Sequence, residues 1–543
     1  MKSECLRFGQ IPGQNPLFVA CLEGEESALS FYPSMPLTPE ALTFRAERAG
    51  RFSRLQRAPL IRALEDFQAR IGAGSKVLEQ LKRLSRDGTL AVLTGQQVAL
   101  FGGPSFAVYK AATAVGLARH LEEAGIAAVP VFWLAADDSD FDEVRTTTFL
   151  GADGARLDLQ LPITKEPDGT MVGALPVGDL QSEFEKLDRN FDQTSFYAEV
   201  RAVLQGAYRP ERTLREAFGA WLSRLFEDSG LICFDPLAPE VKRELGPFFA
   251  SAVSQRAEIN RRLQERGEAI QAAGYSPQVF VDETESLLFL FEGKRRRKLE
   301  FNGKEFVARD LPNLRISESD LLDRVRSHPE QFGPNVLLRP VLQDHLFPTA
   351  VTVGGPSEIA YFAQVNAIAP HFDLEVSIVP RNGFTMVDRK SLRYLERYEL
   401  TVQELLNENP DRLTEKIIRG GPSGRILAEL DRARQDLEKR LSVIEQGLQQ
   451  QDPPLVQMLE GAKGKMLYQL QKVHDRYVFN HREREGHLKR HLDFMKQRLY
   501  PDGRLQERTL NFNQFLMEEG PELLQRLQAS VQPFCAAHQI VYL

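Results

Sequence analysis

The chain predicts an α/β fold: a parallel sheet with crossover helices and connecting insertions, followed by an α-helical antiparallel coiled-coil domain. Two observations carry this. Five short apolar runs each end in polar or glycine residues and lead into helical patterns, as strands buried on both faces of a parallel sheet require. From about Leu392 onward the character changes to long helices, and from Leu430 apolar residues recur at alternating spacings of three and four, which is the pattern of a coiled-coil seam. At 543 residues the chain also exceeds what one hydrophobic core usually serves, so more than one domain is expected.

The sheet runs are Leu90 to Gly95, Val129 to Ala135, Leu231 to Pro236, Thr349 to Gly355 and Val376 to Arg381. Together they describe a Rossmann-like core over residues 1–390, and the uneven gaps place insertions at about 146–228 and 240–335. Within the first insertion, Thr146 to Gly178 alternates polar and apolar residues around "GADGA" and "EPDGT", which suggests hairpins. Val279 to Val307 reads strand, turn, strand, turn, strand. Its basic run, Lys294 to Lys298, has the charge to bind phosphate, but in an acidic protein it reads first as a solvated edge that discourages strand pairing.

Residues 391–510 form the helical coiled-coil domain, and 511–543 return to the core. Leu430, Ala433, Leu437, Leu441, Ile444 and Leu448 make one seam. Met466, Leu470, Val473 and Tyr477 continue it after a break, as do Leu488, Leu492, Met495 and Leu499. Pro453 and Pro454 cannot continue a helix, so the seam folds back as an antiparallel hairpin. Two such hairpins would bury their apolar stripes symmetrically in a homodimer, with packing inside one chain as the alternative.

Composition narrows the function. The chain is 42% hydrophobic and 26% charged, and 68 Lys plus Arg against 75 Asp plus Glu give −7, which argues against general nucleic-acid or membrane-surface binding. The start carries no apolar leader and no segment is suited to span a bilayer, so a cytoplasmic protein acting on small polar molecules is expected. Cys5, Cys21, Cys233 and Cys535 show no metal-ligand spacing and read as reduced, mostly buried thiols. No H-E-x-x-H, P-loop, H-x-G-H or first-strand G-x-G-x-x-G occurs, which excludes the common zinc, phosphate-loop, nucleotidyl-transferase and dinucleotide signatures.

The chemistry is expected where the sheet runs stop. The first ends at Thr94-Gly95-Gln96-Gln97, and a helix opens near Gly102-Gly103-Pro104-Ser105; Val353-Gly354-Gly355-Pro356-Ser357 repeats the device. Both starts would offer free N–H groups to an anion at the carboxyl edge of one sheet. Lys110 lies two turns into the first helix. The second run ends in "AADDSDFDEV", where Asp137, Asp138, Asp140, Asp142 and Glu143 would repel one another unless a magnesium ion, sugar hydroxyls or an ammonium offsets them. A solvated loop with one aspartate capping a helix is the plain alternative. Arg339, Gln343, Asp344 and His345 precede the second glycine pair, and Arg381 ends the last run; both arginines suit carboxylate clamping or structural ion pairs.

"TGQQVALFGGPSFAVYKAATA", "PVFWLAADDSDFDEV", "LLRPVLQD", "VGGPSEIAYFAQ" and "LYPDGRLQER" together resemble the bacillithiol biosynthesis cysteine-adding enzymes, the cysteine ligases of that pathway, over most of the chain. The resemblance implies a Rossmann-like core, connecting insertions and a dimerising coiled coil. It implies a reaction joining the carboxyl group of L-cysteine to the amine of glucosaminyl malate, with ATP activating the acid as an acyl adenylate or acyl phosphate and a magnesium ion compatible with that chemistry; no protein metal site is assigned. Asp138, Asp140 and Lys110 become the catalytic candidates. Substrate- or nucleotide-binding candidates are Thr94, Gln96, Gln97, Gly102, Gly103, Tyr109, Asp137, Arg339, Gln343, Asp344, Gly354, Gly355, Glu358 and Arg381. Ser139 stands where the family often carries histidine, which moves an expected base to Asp138 or His345 and leaves a non-catalytic, coiled-coil-dimerised scaffold as the alternative function.

Overall fold

The computed structural model describes residues 2–49, 57–163, 169–308, 310–421, 423–484, 486–535 and 537–543. It divides into two compact units, Met1–Thr385 with Gln506–Val541, and Met386–Leu505 with Tyr542–Leu543.

In the first unit all five apolar runs join one parallel sheet: β1 (Leu90–Gln97), β2 (Ala128–Ala135), β3 (Ile232–Phe234), β4 (Thr349–Gly354) and β5 (Ile378–Pro380). The strand order is β5-β4-β1-β2-β3, with every neighbouring pair parallel. The chain therefore builds outward from β1 in one direction, then crosses back to lay β4 on the other side. That reversal opens a crevice between the carboxyl ends of β1 and β4, where open α/β sheets hold ligands. Helix α1 (Phe106–Glu123) crosses from β1 to β2, α2 (Leu338–Leu346) precedes β4, and α3 (Pro356–Ile368) follows it. Val92 and Leu90 of β1, Leu117 and Leu121 of α1, and Val351 and Val353 of β4 share one buried core cluster, which packs the C-terminal half of α1 against the sheet.

The insertions fold much as their patterning indicates. Thr146–Leu150 and Arg156–Gln160 form an antiparallel hairpin around "GADGA"; the "EPDGT" turn begins in residues 164–168, outside the described residues. Glu285–Glu292, Arg295–Phe301 and Phe306–Ala308 are successive antiparallel strands. The solvated-edge reading of Lys294 to Lys298 is corrected. Arg295–Phe301 is the central strand of five, so its basic side chains need partners: Arg297 is buried against Asp310, and Lys298 reaches Glu285 at 2.9 Å.

In the second unit α4 (Gly424–Gln451) and α5 (Pro454–Arg484) run antiparallel, since Glu445 faces Lys463 at 3.8 Å while Arg434 donates to Gln471 at 3.0 Å. Leu427 and Leu441 are buried along the contact, with Leu430, Leu437, Leu448, Leu470 and Tyr477 half-buried. Ala433, Ile444, Met466 and Val473, expected on the same seam, stand exposed instead, Val473 at 56%. A straight helix drifts about 20° per heptad against a 3.5-residue repeat, so a strict heptad series cannot stay on one line. Leu488, Leu492, Met495 and Leu499 of α6 (Gly486–Leu499) are buried, with Tyr394 of the neighbouring helix stacked on His491 at 3.9 Å.

Among the described residues no helix is long and apolar enough to cross a membrane. Cys21 and Cys233 are buried, Cys535 half-buried and Cys5 exposed.

Candidate active site

A cavity of about 390 Å³ fills the crevice at the strand reversal. Ten of the expected residues line it: Gln96, Gln97, Lys110, Asp137, Asp138, Arg339, Gln343, Gly355, Glu358 and Arg381.

A chain of contacts runs across its floor. Lys110 is 2% exposed; its ammonium donates to the Gly95 carbonyl at 2.7 Å and the Gln96 side chain at 3.1 Å, and it pairs with the Glu358 carboxylate. Burial pushes its pKa down while Glu358 opposes the shift. Glu358 in turn accepts from the Gly355 N–H at 2.7 Å, closing the first turn of α3. Lys110 is therefore the buried half of an ion pair that ties β1 to the start of α3.

At one end, carboxylates gather under fixed donors. Gln97 Nε2 donates to Asp138 Oδ2 at 2.9 Å, the Ser139 N–H to Oδ1 at 2.7 Å, and Arg296 Nη1 to Oδ1 at 3.3 Å. Burial alone would raise this carboxyl; Arg296, Gln97 and the Ser139 N–H outweigh it and hold Asp138 below its ordinary value. Asp138 is thus a stable negative charge and a weak proton acceptor. Asp140 lies outside the lining, where its side chain accepts from the Glu143 N–H at 3.3 Å and caps the short helix Phe141–Arg145.

At the other end, α3 opens toward the cavity at Gly355 and Ser357. Arg381 is 5% exposed. Both terminal nitrogens of its guanidinium are taken by the Glu507 carboxylate, Nη1 at 2.9 Å, so the bidentate clamp expected for a substrate is spent inside the protein. Its Nε, by contrast, has no hydrogen-bond partner among the described residues and lies 3.7 Å from where a Cβ on Gly355 would stand. A buried, charged donor beside a helix N-terminus fits an anion. Arg508 lines the same end, and Arg339 donates to the Tyr361 hydroxyl at 3.1 Å.

Several expected residues lie elsewhere for packing reasons. Gly102 has φ +87°, and a Cβ there would meet the Trp221 ring at 2.2 Å; its N–H donates to the Tyr208 hydroxyl at 2.8 Å. The Gly103 carbonyl accepts from Asn511 at 3.0 Å, while Ser105 gives its N–H and hydroxyl to the Leu510 carbonyl at 2.9 and 2.6 Å. The first glycine pair is thus enclosed by the chain itself, and of the two pairs only Gly355 of the second lines the cavity. Thr94 donates to the Val353 carbonyl at 3.0 Å, Tyr109 is buried against Phe384 and Phe512, and Gly354 packs on Ile378. His345 packs on Phe248 with ring centroids 5.0 Å apart.

Asp344 is also buried away from the cavity, and burial raises its carboxyl from 3.8 to about 7 against the pull of Arg45 and Thr349. A carboxyl raised in the folded state stabilises fully below its unfolded value and loses that contribution as pH climbs through about 7. Asp344→Asn is therefore expected to raise the Tm at pH 8, by up to roughly 4 kcal/mol of stability, with little change at pH 3, below the unfolded value. Equal Tm shifts at the two pH values would sink this account of Asp344.

Sequence reasoning missed Arg296, Glu143 and Arg508. Each lay in a noted stretch: the basic run, the acidic motif and the C-terminal "LYPDGRLQER". What chose among neighbours was the facing of the strand and the place of the helix turn.

Known proteins share this organisation. The family model described as bacillithiol biosynthesis BshC, N-terminal Rossmann-like domain, matches residues 1–382, and the model for the BshC C-terminal coiled-coil domain matches residues 384–543. The chain is 34% identical over 549 aligned residues to the protein named "Putative cysteine ligase BshC" of Koribacter versatilis (strain Ellin345), and 31% over 551 to that of Solibacter usitatus (strain Ellin6076), each covering 100% of both chains. A relative of the same name in Bacillus cereus (strain AH187) is 26% identical over 90% of this chain and 91% of its own.

Proposed function

The chain belongs to the bacillithiol biosynthesis BshC family, and from that premise we propose that it is an ATP-dependent, amide-forming cysteine ligase that joins the carboxyl group of L-cysteine to the amine of glucosaminyl malate. The observation that supports this most is the division of one cavity into an acidic end at Asp138 and an anion-receptive end at Arg381 Nε and the start of α3. Glucosaminyl malate carries an amine on its sugar and two carboxylates on its malate, so it matches both ends at once.

In this reading Asp138 draws the ammonium into place, with Gln96 and Gln97 toward the sugar. Ser357, Arg381 and Arg508 face the carboxylates or the phosphates of ATP. A free carboxylate does not acylate an amine in water, so ATP supplies the activation and a phosphate-bearing leaving group. Among the described residues no group of three or more His, Cys, Asp or Glu side chains is set to hold a metal; a magnesium ion would arrive with the nucleotide. The exposed apolar residues Val443, Ile444, Met458 and Val473 on α4 and α5 support a homodimer through the coiled coil. A solution mass of one 61.4 kDa chain would overturn that assembly.

The test of function is thiol profiling of the host with the gene deleted. Bacillithiol is expected to vanish while glucosaminyl malate accumulates, and the wild-type gene to reverse both. Unchanged bacillithiol in the deletion strain would overturn the ligase reading.

A further inference from the structure

Asp138 is badly suited to the proton transfer that amide formation needs. Its oxygens already accept from Gln97, the Ser139 N–H and Arg296, and each of those contacts favours the ionised form. A second carboxylate lines the same wall. Glu143 sits in the short helix Phe141–Arg145, its backbone fixed by the Asp140 cap, and its side chain faces the cavity beside Gln97. Building on the ligase reading, we propose that Glu143 is the general base that takes the proton from the attacking amine, while Asp138 holds the ammonium before attack.

The surroundings of the two carboxylates divide the work. Burial raises the Glu143 carboxyl first of all; the Gln97 amide opposes this, and the negative charges of Asp140 and Asp138 add to the rise. Arg296, which lines the same cavity, is engaged with Asp138, and Arg145 of the same helix with Asp142 at 3.5 Å. Neighbouring carboxyls pushed in opposite directions are what an acid–base pair requires. Glu143 is also exposed on one side, which gives the accepted proton a path to water.

The step balances. The nitrogen lone pair forms the C–N bond to the activated cysteine acyl carbon, and the acyl C–O bond breaks with its electron pair leaving on the phosphate-bearing group. The ammonium held by Asp138 first gives up one proton to expose that lone pair, and the nitrogen sheds a second as the amide forms; each passes to a Glu143 oxygen and on to solvent. Cysteine activation precedes this and does not require Glu143.

The experiment compares wild type, Glu143→Gln, Glu143→Asp and Asp138→Asn, measuring bacillithiol in complemented deletion cells, glucosaminyl malate binding by calorimetry and Tm. Glu143→Gln is expected to lower bacillithiol at least about 100-fold, the lower end of the range for a lost general base, with affinity within about threefold of wild type and Tm unchanged. Glu143→Asp recovers part of the activity. Asp138→Asn instead weakens binding at least tenfold. Normal bacillithiol in Glu143→Gln, or binding lost along with activity, overturns the base assignment. Failure of the wild-type gene to restore bacillithiol overturns the ligase reading instead.

Discussion

Glu507→Ala is expected to cost about 3–5 kcal/mol of stability, the range for breaking a buried ion pair from one side. Glu507 is fully buried, receives both terminal nitrogens of Arg381, and accepts from the Phe384 N–H at 3.0 Å. Burial would raise its carboxyl, but Arg381 outweighs that and holds it below its ordinary value. Removing the carboxylate leaves a guanidinium in the interior without its counter-charge and a backbone donor without an acceptor. Arg381 would then swing toward water or the cavity, and Nε would no longer be aimed at the start of α3, so activity should fall along with the denaturation midpoint. The conservative Glu507→Gln variant keeps an acceptor and should lose less. An unaltered denaturant midpoint in Glu507→Ala would remove Glu507 from the support of the site. Two residues of "LYPDGRLQER" thereby meet the candidate site: Glu507 pairs with Arg381, and Arg508 lines the cavity.

Lys110→Met is expected to cost a similar amount, because it strands Glu358 beside Gly355 without the ammonium. The double variant Lys110→Met with Glu358→Gln separates two roles. If the pair is mainly a strut between β1 and α3, removing both charges should return most of the lost stability, a coupling of 1–3 kcal/mol in the double-mutant cycle. Ligase activity should stay low even then, since the Gln96 carboxamide loses its 3.1 Å donor and the floor between the two ends of the cavity is no longer fixed. Additive losses would mean the two residues do not act as a pair. Activity fully restored in the double variant would show that Lys110 serves packing alone.

The sheet was legible because its strands are buried on both faces, and near-continuous apolar runs announce that without tertiary information. The helical hairpin was legible from its seam and from Pro453-Pro454. The candidate site was legible only as stretches. Gly102-Gly103 and Gly354-Gly355 look alike in sequence, yet Trp221, Tyr208, Leu510 and Asn511 close the first, and Gly355 lines the cavity. Trp221 is 119 residues from Gly102 and Asn511 is 408 from Gly103, and no local pattern encodes such encounters.

Acidic and basic residues pose the same difficulty more sharply. By itself the sequence determined that a parallel α/β core carries its polar residues at strand ends, that carboxylates cluster after β2, and that long helices follow; local periodicity and turn chemistry suffice for each. Only the tertiary structure decided that Asp138 is held ionised by an arginine from a strand 158 residues away, that Asp140 caps a helix, and that Arg381 spends its fork on Glu507 while its buried Nε has no hydrogen-bond partner among the described residues. The reason is that a charged side chain takes its chemistry from its nearest few ångströms of dielectric and counter-charge, and those neighbours are brought in by the fold from distant parts of the chain.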